Sequence, residues 1–350
     1  MESLVTESYF AAANGYEGFR SYFADVFKSS DYNQIYVLKG GPGTGKSTLM
    51  KKVLNEFDSK KVKKECIYCS SDPKSLDAII LKYADKKVAI IDGTAPHERD
   101  AVIPGAIDSI VNLGCAWNKK VLEAKREKIL ELALKKSEHY KRAYAFLKIS
   151  GIINGMLKEF MSNCYDNKKS KNIAIDTIEK IKNKKRGRNV YKLYSCFGKN
   201  GYKTIDAVMC FSQNIYVKGM YGSESFFMND IKSAFSFYGI SNVTHPSPFS
   251  EKLTEGVTAD GVIISTLFPS DKTVDTSEFI SQSKFSEISE DFFVLEQKYN
   301  ESLTLSKNEF DKASKMHFQL EDIYSAAMDY DKNNELTEKI KSEIKELFNY

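Results

Sequence analysis

Apolar residues recur along this chain in two rhythms. The runs QIYVLKG, Gln34 to Gly40, and KVAIID, Lys87 to Asp92, are apolar almost throughout and read as strands buried on both faces. SYFAAA at Ser8–Ala13 and CIYC at Cys66–Cys69 predict two further strands. Tyr16, Phe19, Tyr22, Phe23, Val26 and Phe27 predict a helix over Tyr16–Lys28, after a turn at Asn14-Gly15. A second helix after QIYVLKG carries Leu49, Met50, Val53, Leu54 and Phe57. In SSDPKSLDAII, Asp72 or Ser75 as cap and Pro73 in a first turn predict a short helix. Strands alternating with helices predict an α/β fold on a parallel sheet. From Trp117 to Phe160 the spacing turns helical and long, and the same holds for Phe279–Met328 and Glu335–Phe348.

The second half echoes the first. Asn14-Gly15-Tyr16 aligns with Asn200-Gly201-Tyr202, QIYVLKG with NIYVKG, Pro73 with Pro248, and VAIIDGTAP with GVIISTLFP. This sets Gly40 beside Gly219 and Gly43 beside Gly222. The offset drifts slowly, as small deletions would make it drift. The expectation is two units of one kind: residues 1–188 with a helical arm at about 117–183, and residues 189–350 with C-terminal helices. The run KKRGR, Lys184–Arg188, marks the boundary.

Between the first buried strand and its helix lies Gly40-x4-Gly45-Lys46-Ser47, a complete P-loop motif in the strand–helix setting that makes it credible. The loop Gly40, Gly41, Gly43, Thr44, Gly45, Lys46, Ser47 and Thr48 is expected to cradle phosphates with backbone N–H groups at a helix N-terminus. Lys46 would reach the β- and γ-phosphates, and Ser47 would ligate Mg2+. Asp92 closes VAIID and is expected to hold the same ion. Glycine, not glutamate, follows it, so slow hydrolysis is expected. Glu98 and its neighbour His97 are the candidates for a base or a γ-phosphate sensor. Arg99, Arg126 and Arg142 are candidates for neutralising a transferring phosphoryl group, which keeps a kinase reading open. In the second half the alignment sets Glu224, Ser225 and Phe226 against Gly45, Lys46 and Ser47, and Ser265 against Asp92. That copy is not expected to bind a nucleotide.

LKGGPGTGKSTLMKKV, CSSDPKSLDAII, DGTAPHERD, PGAIDSIVNLG and YKRAYAFL resemble a poorly characterised bacterial family of tandem P-loop proteins, labelled ATPase or nucleotide kinase. The resemblance implies duplicated P-loop NTPase domains with long helical arms. This chain departs from it in the second half, where the motif is degenerate. Taken with the residues, it implies a Mg2+-dependent ATP-binding protein with weak hydrolysis. The alternatives are a kinase for a nucleotide or other small-molecule acceptor, and an ATP-gated protein that binds a partner.

Charge and cysteine usage refine this picture slightly. Residues 117–190 hold 20 Lys+Arg against 8 Asp+Glu, and residues 275–350 hold 9 against 17, so the two helical segments are expected to attract each other. The basic stretch alone keeps nucleic acid as a weaker alternative partner. Six scattered cysteines with one CxxC predict neither a disulfide framework nor a zinc site. No apolar run is long enough for a membrane span, and the start lacks a signal-peptide pattern, so a cytoplasmic protein is expected.

Overall fold

The computed structural model describes residues 5–59, 61–179, 181, 190–205 and 211–350. The expected boundary at Lys184–Arg188 lies outside them. The first half runs β1 (Val5–Phe10), β2 (Ala12–Gly15), β3 (Gly18–Ser21), α1 (Phe23–Val26), β4 (Gln34–Lys39), α2 (Lys46–Glu56), β5 (Lys63–Tyr68), β6 (Leu76–Tyr83), β7 (Lys86–Asp92) and β8 (Asp108–Asn112). Helices α3 (Lys119–Ala124), α4 (Arg126–Cys164) and α5 (Asn167–Glu179) follow. The second half runs β9 (Val190–Tyr191), β10 (Ser195–Gly198), β11 (Gly201–Thr204), β12 (Gln213–Lys218), α6 (Ser223–Phe237), β13 (Val243–Pro246), β14 (Thr254–Ala259), β15 (Val262–Ser265) and β16 (Thr273–Asp275). It ends in α7 (Gln282–Ser325) and α8 (Tyr330–Phe348).

Two six-stranded sheets form, ordered β1-β5-β6-β7-β4-β8 and β16-β12-β15-β14-β13-β9. Read from opposite ends, their strand directions agree pair by pair. The expected parallel sheet is therefore corrected to a mixed one. β6 runs antiparallel between β5 and β7, because the loops that enter and leave it, 69–75 and 84–85, are too short to cross the sheet. The short helix expected at Asp72–Ser75 is the loop of that hairpin. The helix expected over Tyr16–Lys28 is also corrected: its first part pairs as the β2–β3 hairpin, and only Phe23–Val26 is helical. The turn sits at Tyr16-Glu17, after Gly15, and Gly18 rather than Gly15 is the counterpart of Gly201, since each starts the returning strand of its hairpin.

β4 shows why its sequence is apolar throughout. Ile35 and Val37 enter one core with Phe23, Phe27 and Ile91, whereas Tyr36 and Leu38 enter another with Leu49, Val53 and Phe57. That second core is completed from far along the chain, by Ile340, Ile344 and Phe348 of α8. Reciprocally, Ala174 and Ile178 of α5 lie in the second half's core with Phe227, Met228 and Ile231 of α6. The tails are exchanged.

The exchange is carried by α4 and α7, which pack along each other. Ser306 Oγ donates to the Ala143 carbonyl at 2.9 Å, and Ser150 and Ser302 hydroxyls meet at 2.7 Å. Small side chains thus let the backbones approach closely. Glu309 of the acidic helix, accepting from Arg142 Nε at 2.9 Å and facing His139 at 2.8 Å, supplies the charge pairing expected between the segments. Where the sheets approach, Phe10 and Leu193 exchange backbone hydrogen bonds of 2.8 and 3.1 Å.

Candidate functional site

The site lies at the end of β4. Its loop carries two glycines in the left-handed region, Gly43 and Gly45, and Gly45, at φ 80°, caps α2. Side chains rarely adopt that conformation. Lys46, the first residue of α2, folds back over the loop, donating to the carbonyls of Gly40 at 2.7 Å and Gly41 at 2.9 Å. Its ammonium is also 3.6 Å from Asp92 Oδ2. Thr44 Oγ1 braces the loop by donating to the Gly41 carbonyl at 2.9 Å. Asp92 stands at the end of β7, directly beside β4, with Oδ1 accepting from Thr94 N–H at 2.9 Å. Ser47 Oγ accepts from Leu76 N–H at 3.1 Å. Thr48 is exposed on the first turn of α2.

The two remaining candidates separate. Glu98 is exposed, and the structure does not bring it to Lys46, Ser47 and Asp92. His97 is buried, its ring stacked on Phe23 at 4.6 Å between centroids, with Nε2 3.2 Å from Asp77 Oδ2. Burial works against its protonation. The negative charge of Asp77 beside the ring, with a smaller contribution from Asp92, outweighs burial and raises its pKa. The candidate arginines lie elsewhere. Arg99 is held by the Phe27 carbonyl, Ser29 and Asp108, Arg142 by Glu309, and Arg126 is exposed on α4.

Sequence reasoning missed Asp77 and the corner between α7 and α8. Asp77 had one readable signal, an acidic residue inside the apolar opening of SLDAII. The corner had none, because it reaches the loop only through the tail exchange. Ser325 Oγ and Tyr330 OH each donate to the Gly43 carbonyl at 3.3 Å, and Asn333 Nδ2 donates to the Thr44 carbonyl at 2.9 Å. A side chain on Gly43 would meet the Glu321 carbonyl at 2.5 Å. Backbone bonds Asn118 N–H to Ala327 O at 2.7 Å and Asp329 N–H to Ala116 O at 2.8 Å tie the corner to the chain leaving β8.

The equivalent place in the second half is filled. Gly222, at φ 78°, caps α6 as Gly45 caps α2, so its loop is two residues shorter. The counterparts of Lys46 and Ser47 are then Ser223 and Glu224, correcting the expected Ser225 and Phe226. Strand register likewise moves the partner of Asp92 from Ser265 to Thr266, since Ser265 pairs with Tyr216 as Ile91 pairs with Val37. Ser223 Oγ bonds Thr276 Oγ1 at 2.7 Å, and Glu224 turns its half-buried carboxyl toward Gly219. Burial raises the pKa of that carboxyl.

Among the described residues no helix is long and apolar enough to cross a membrane, and no cluster of three or more His, Cys, Asp or Glu forms a metal site. No curated protein and no solved structure matches the chain. Residues 20–154, which contain the loop, Asp77, Asp92 and His97, match the family model for novel STAND NTPase 3, and this similarity supports an NTPase-like, nucleotide-binding chain.

Proposed function

We propose that the first half binds Mg2+-ATP in the Gly40–Thr48 loop and hydrolyses it slowly. One observation carries this reading: an ammonium, a hydroxyl and a carboxylate, those of Lys46, Ser47 and Asp92, are grouped at a glycine-capped helix N-terminus. The helix dipole and inward N–H groups favour an anion there. Lys46 now spends its hydrogen bonds on the loop's own carbonyls, and phosphate oxygens would take their place. Ser47 and Asp92 offer the hard oxygen ligands that Mg2+ prefers, and they would hold it. The bound ion would supply charge neutralisation on the phosphates. Slow turnover follows from Gly93 after Asp92 and from the outward position of Glu98.

We read the second half as a degenerate copy, in which Ser223, Glu224 and Thr276 occupy the space a phosphate would need. We take the units as 1–188 and 189–350, each built on one of the two sheets, with α5 and α8 exchanged between them. A gating role is also favoured by one observation, the hydrogen bonding of the α7–α8 corner to the loop carbonyls. Nucleotide bound in the loop would be sensed directly by helices that reach the other half.

The test is equilibrium binding of ATP with ADP formation, measured alone and with a panel of small acceptors. One nucleotide per chain is expected, lost on Lys46→Ala and unaffected by Ser225→Ala. Asp92→Ala should remove the Mg2+ dependence. Two nucleotides per chain, or turnover of tens per second without a partner, would overturn the reading. ADP release that requires an acceptor would convert it to a kinase.

A further inference from the structure

β6 opens on a bulge. The register passes from Ile67–Ala78 to Tyr68–Leu76, leaving Asp77 without a residue opposite. Asp77 is 5% exposed. The N–H of its neighbour Leu76 donates to Ser47 Oγ at 3.1 Å, so the carboxylate lies one residue from a hydroxyl assigned above to the metal. Asp77 Oδ2 accepts no well-aligned hydrogen bond, and its close partner is an ion-pair contact with His97 Nε2 at 3.2 Å. A buried carboxylate oxygen with one ion-pair contact and no aligned donor has acceptor capacity to spare and calls for an explanation.

The second half provides a comparison within the same chain. Its β13–β14 pairing has the same shift, from His245–Gly256 to Pro246–Thr254, and the residue left over is Glu255. There both oxygens are satisfied by hydroxyls, Oε2 by Ser195 and Oε1 by Tyr202 at 3.0 Å. The bulge thus carries a carboxylate saturated by hydroxyls in the second half, and in the first half one with an oxygen that accepts no aligned hydrogen bond.

Resting on the Mg2+-nucleotide reading, we propose that Asp77 is a further carboxylate of that site, accepting hydrogen bonds from water ligands of the nucleotide-bound Mg2+. Ser47 and Asp92 hold the ion, Asp77 orders its water, and His97 balances the buried charge. Mg2+ retains several waters when it binds phosphates, so an outer acceptor of this kind matches its chemistry.

The experiment is calorimetric titration of the full chain with ATP, in Mg2+ and in EDTA, for wild type, Asp77→Asn and Glu255→Gln. Asp77→Asn is expected to cut the Mg2+-dependent gain in affinity at least tenfold while leaving affinity in EDTA within twofold. Glu255→Gln should change neither. A wild-type gain retained in Asp77→Asn would overturn the proposal and leave the nucleotide reading intact. Equal losses in Mg2+ and EDTA would also overturn it, reducing Asp77 to a structural partner of His97. A wild type that shows no gain from Mg2+ would overturn both. If Asp77→Asn does not fold, Asp77→Glu keeps the charge and displaces the oxygens. It should lose at least threefold of the gain with EDTA affinity unchanged, and an undiminished gain refutes the proposal.

Discussion

Replacing Ile344 by alanine probes whether the nucleotide-binding half depends on a helix almost 300 residues away. Ile344 is fully buried on α8, in one core with Leu49, Met50, Val53 and Phe57. Truncations of this kind cost about 2–5 kcal/mol, less where the surroundings collapse into the space. Here the walls are α2 and the central strands, which leave little room to close, so about 3 kcal/mol is the working value. For a cooperative unit of 150–250 residues that lowers the melting temperature by roughly 6–12 °C. The assay is thermal unfolding with and without Mg2+-ATP, combined with hydrogen exchange. Exchange should accelerate in β4 and α2, and ATP should recover part of the lost stability because it binds only the folded half. Lys339→Ala, on the exposed side of the same helix, is the control and should stay within about 0.5 kcal/mol of wild type. An Ile344→Ala protein that melts with wild type would refute the reasoning. So would one that loosens α6 and β12 while β4 and α2 stay protected.

A 1–188 fragment lacks α8 and the corner that bonds the Gly43 and Thr44 carbonyls, so it is expected to aggregate or to bind ATP poorly; a folded, monomeric fragment with full affinity by titration would contradict this. Burial pushes the Glu255 carboxyl up to about 7 against hydrogen bonds from Ser195, Ser247 and Tyr202. Its folded pKa is above the unfolded value of 4.5, so its contribution is whole below that pH and is lost as pH rises through 7. Urea midpoints of Glu255→Gln should therefore fall less than wild type between those values, and parallel profiles would rule this out. Glu309 behaves oppositely: burial raises its pKa, but His139, Lys312 and Arg142 together hold it at about 2, so its contribution is whole above 4.5 and fades as pH falls toward 2. Glu309→Gln should remove that acid sensitivity, read as helix loss by circular dichroism.

The glycine loop was legible because its chemistry is local: the eight consecutive residues Gly40–Ser47 set the backbone, the ammonium and the hydroxyl together. β6 was not, because the Asp, Pro and Ser before it imitate a helix start, and its apolar run LDAIIL has no period that separates strand from helix. The second half held the missing clue. Asp260-Gly261, both with positive φ, is a hairpin turn between β14 and β15, and it implies that the corresponding strands of the first half also run antiparallel. Asp77 could be found only once that strand direction was known, since the reversal brings the start of β6 to the loop. The stripe Ile340, Ile344 and Phe348 was visible as one helical face, but nothing in its spacing said which core it enters.

The exchange of α5 and α8 also has a consequence in time. A ribosome that has made α2 must add roughly 280 residues before α8 exists, which at about 5–20 residues per second takes about 15–60 s. Throughout that interval Leu49, Met50, Val53 and Phe57 have no α8 to cover them. The nascent first half therefore carries an unfinished core through most of its synthesis, and its loop gains the Asn333 brace only after the second half has been made.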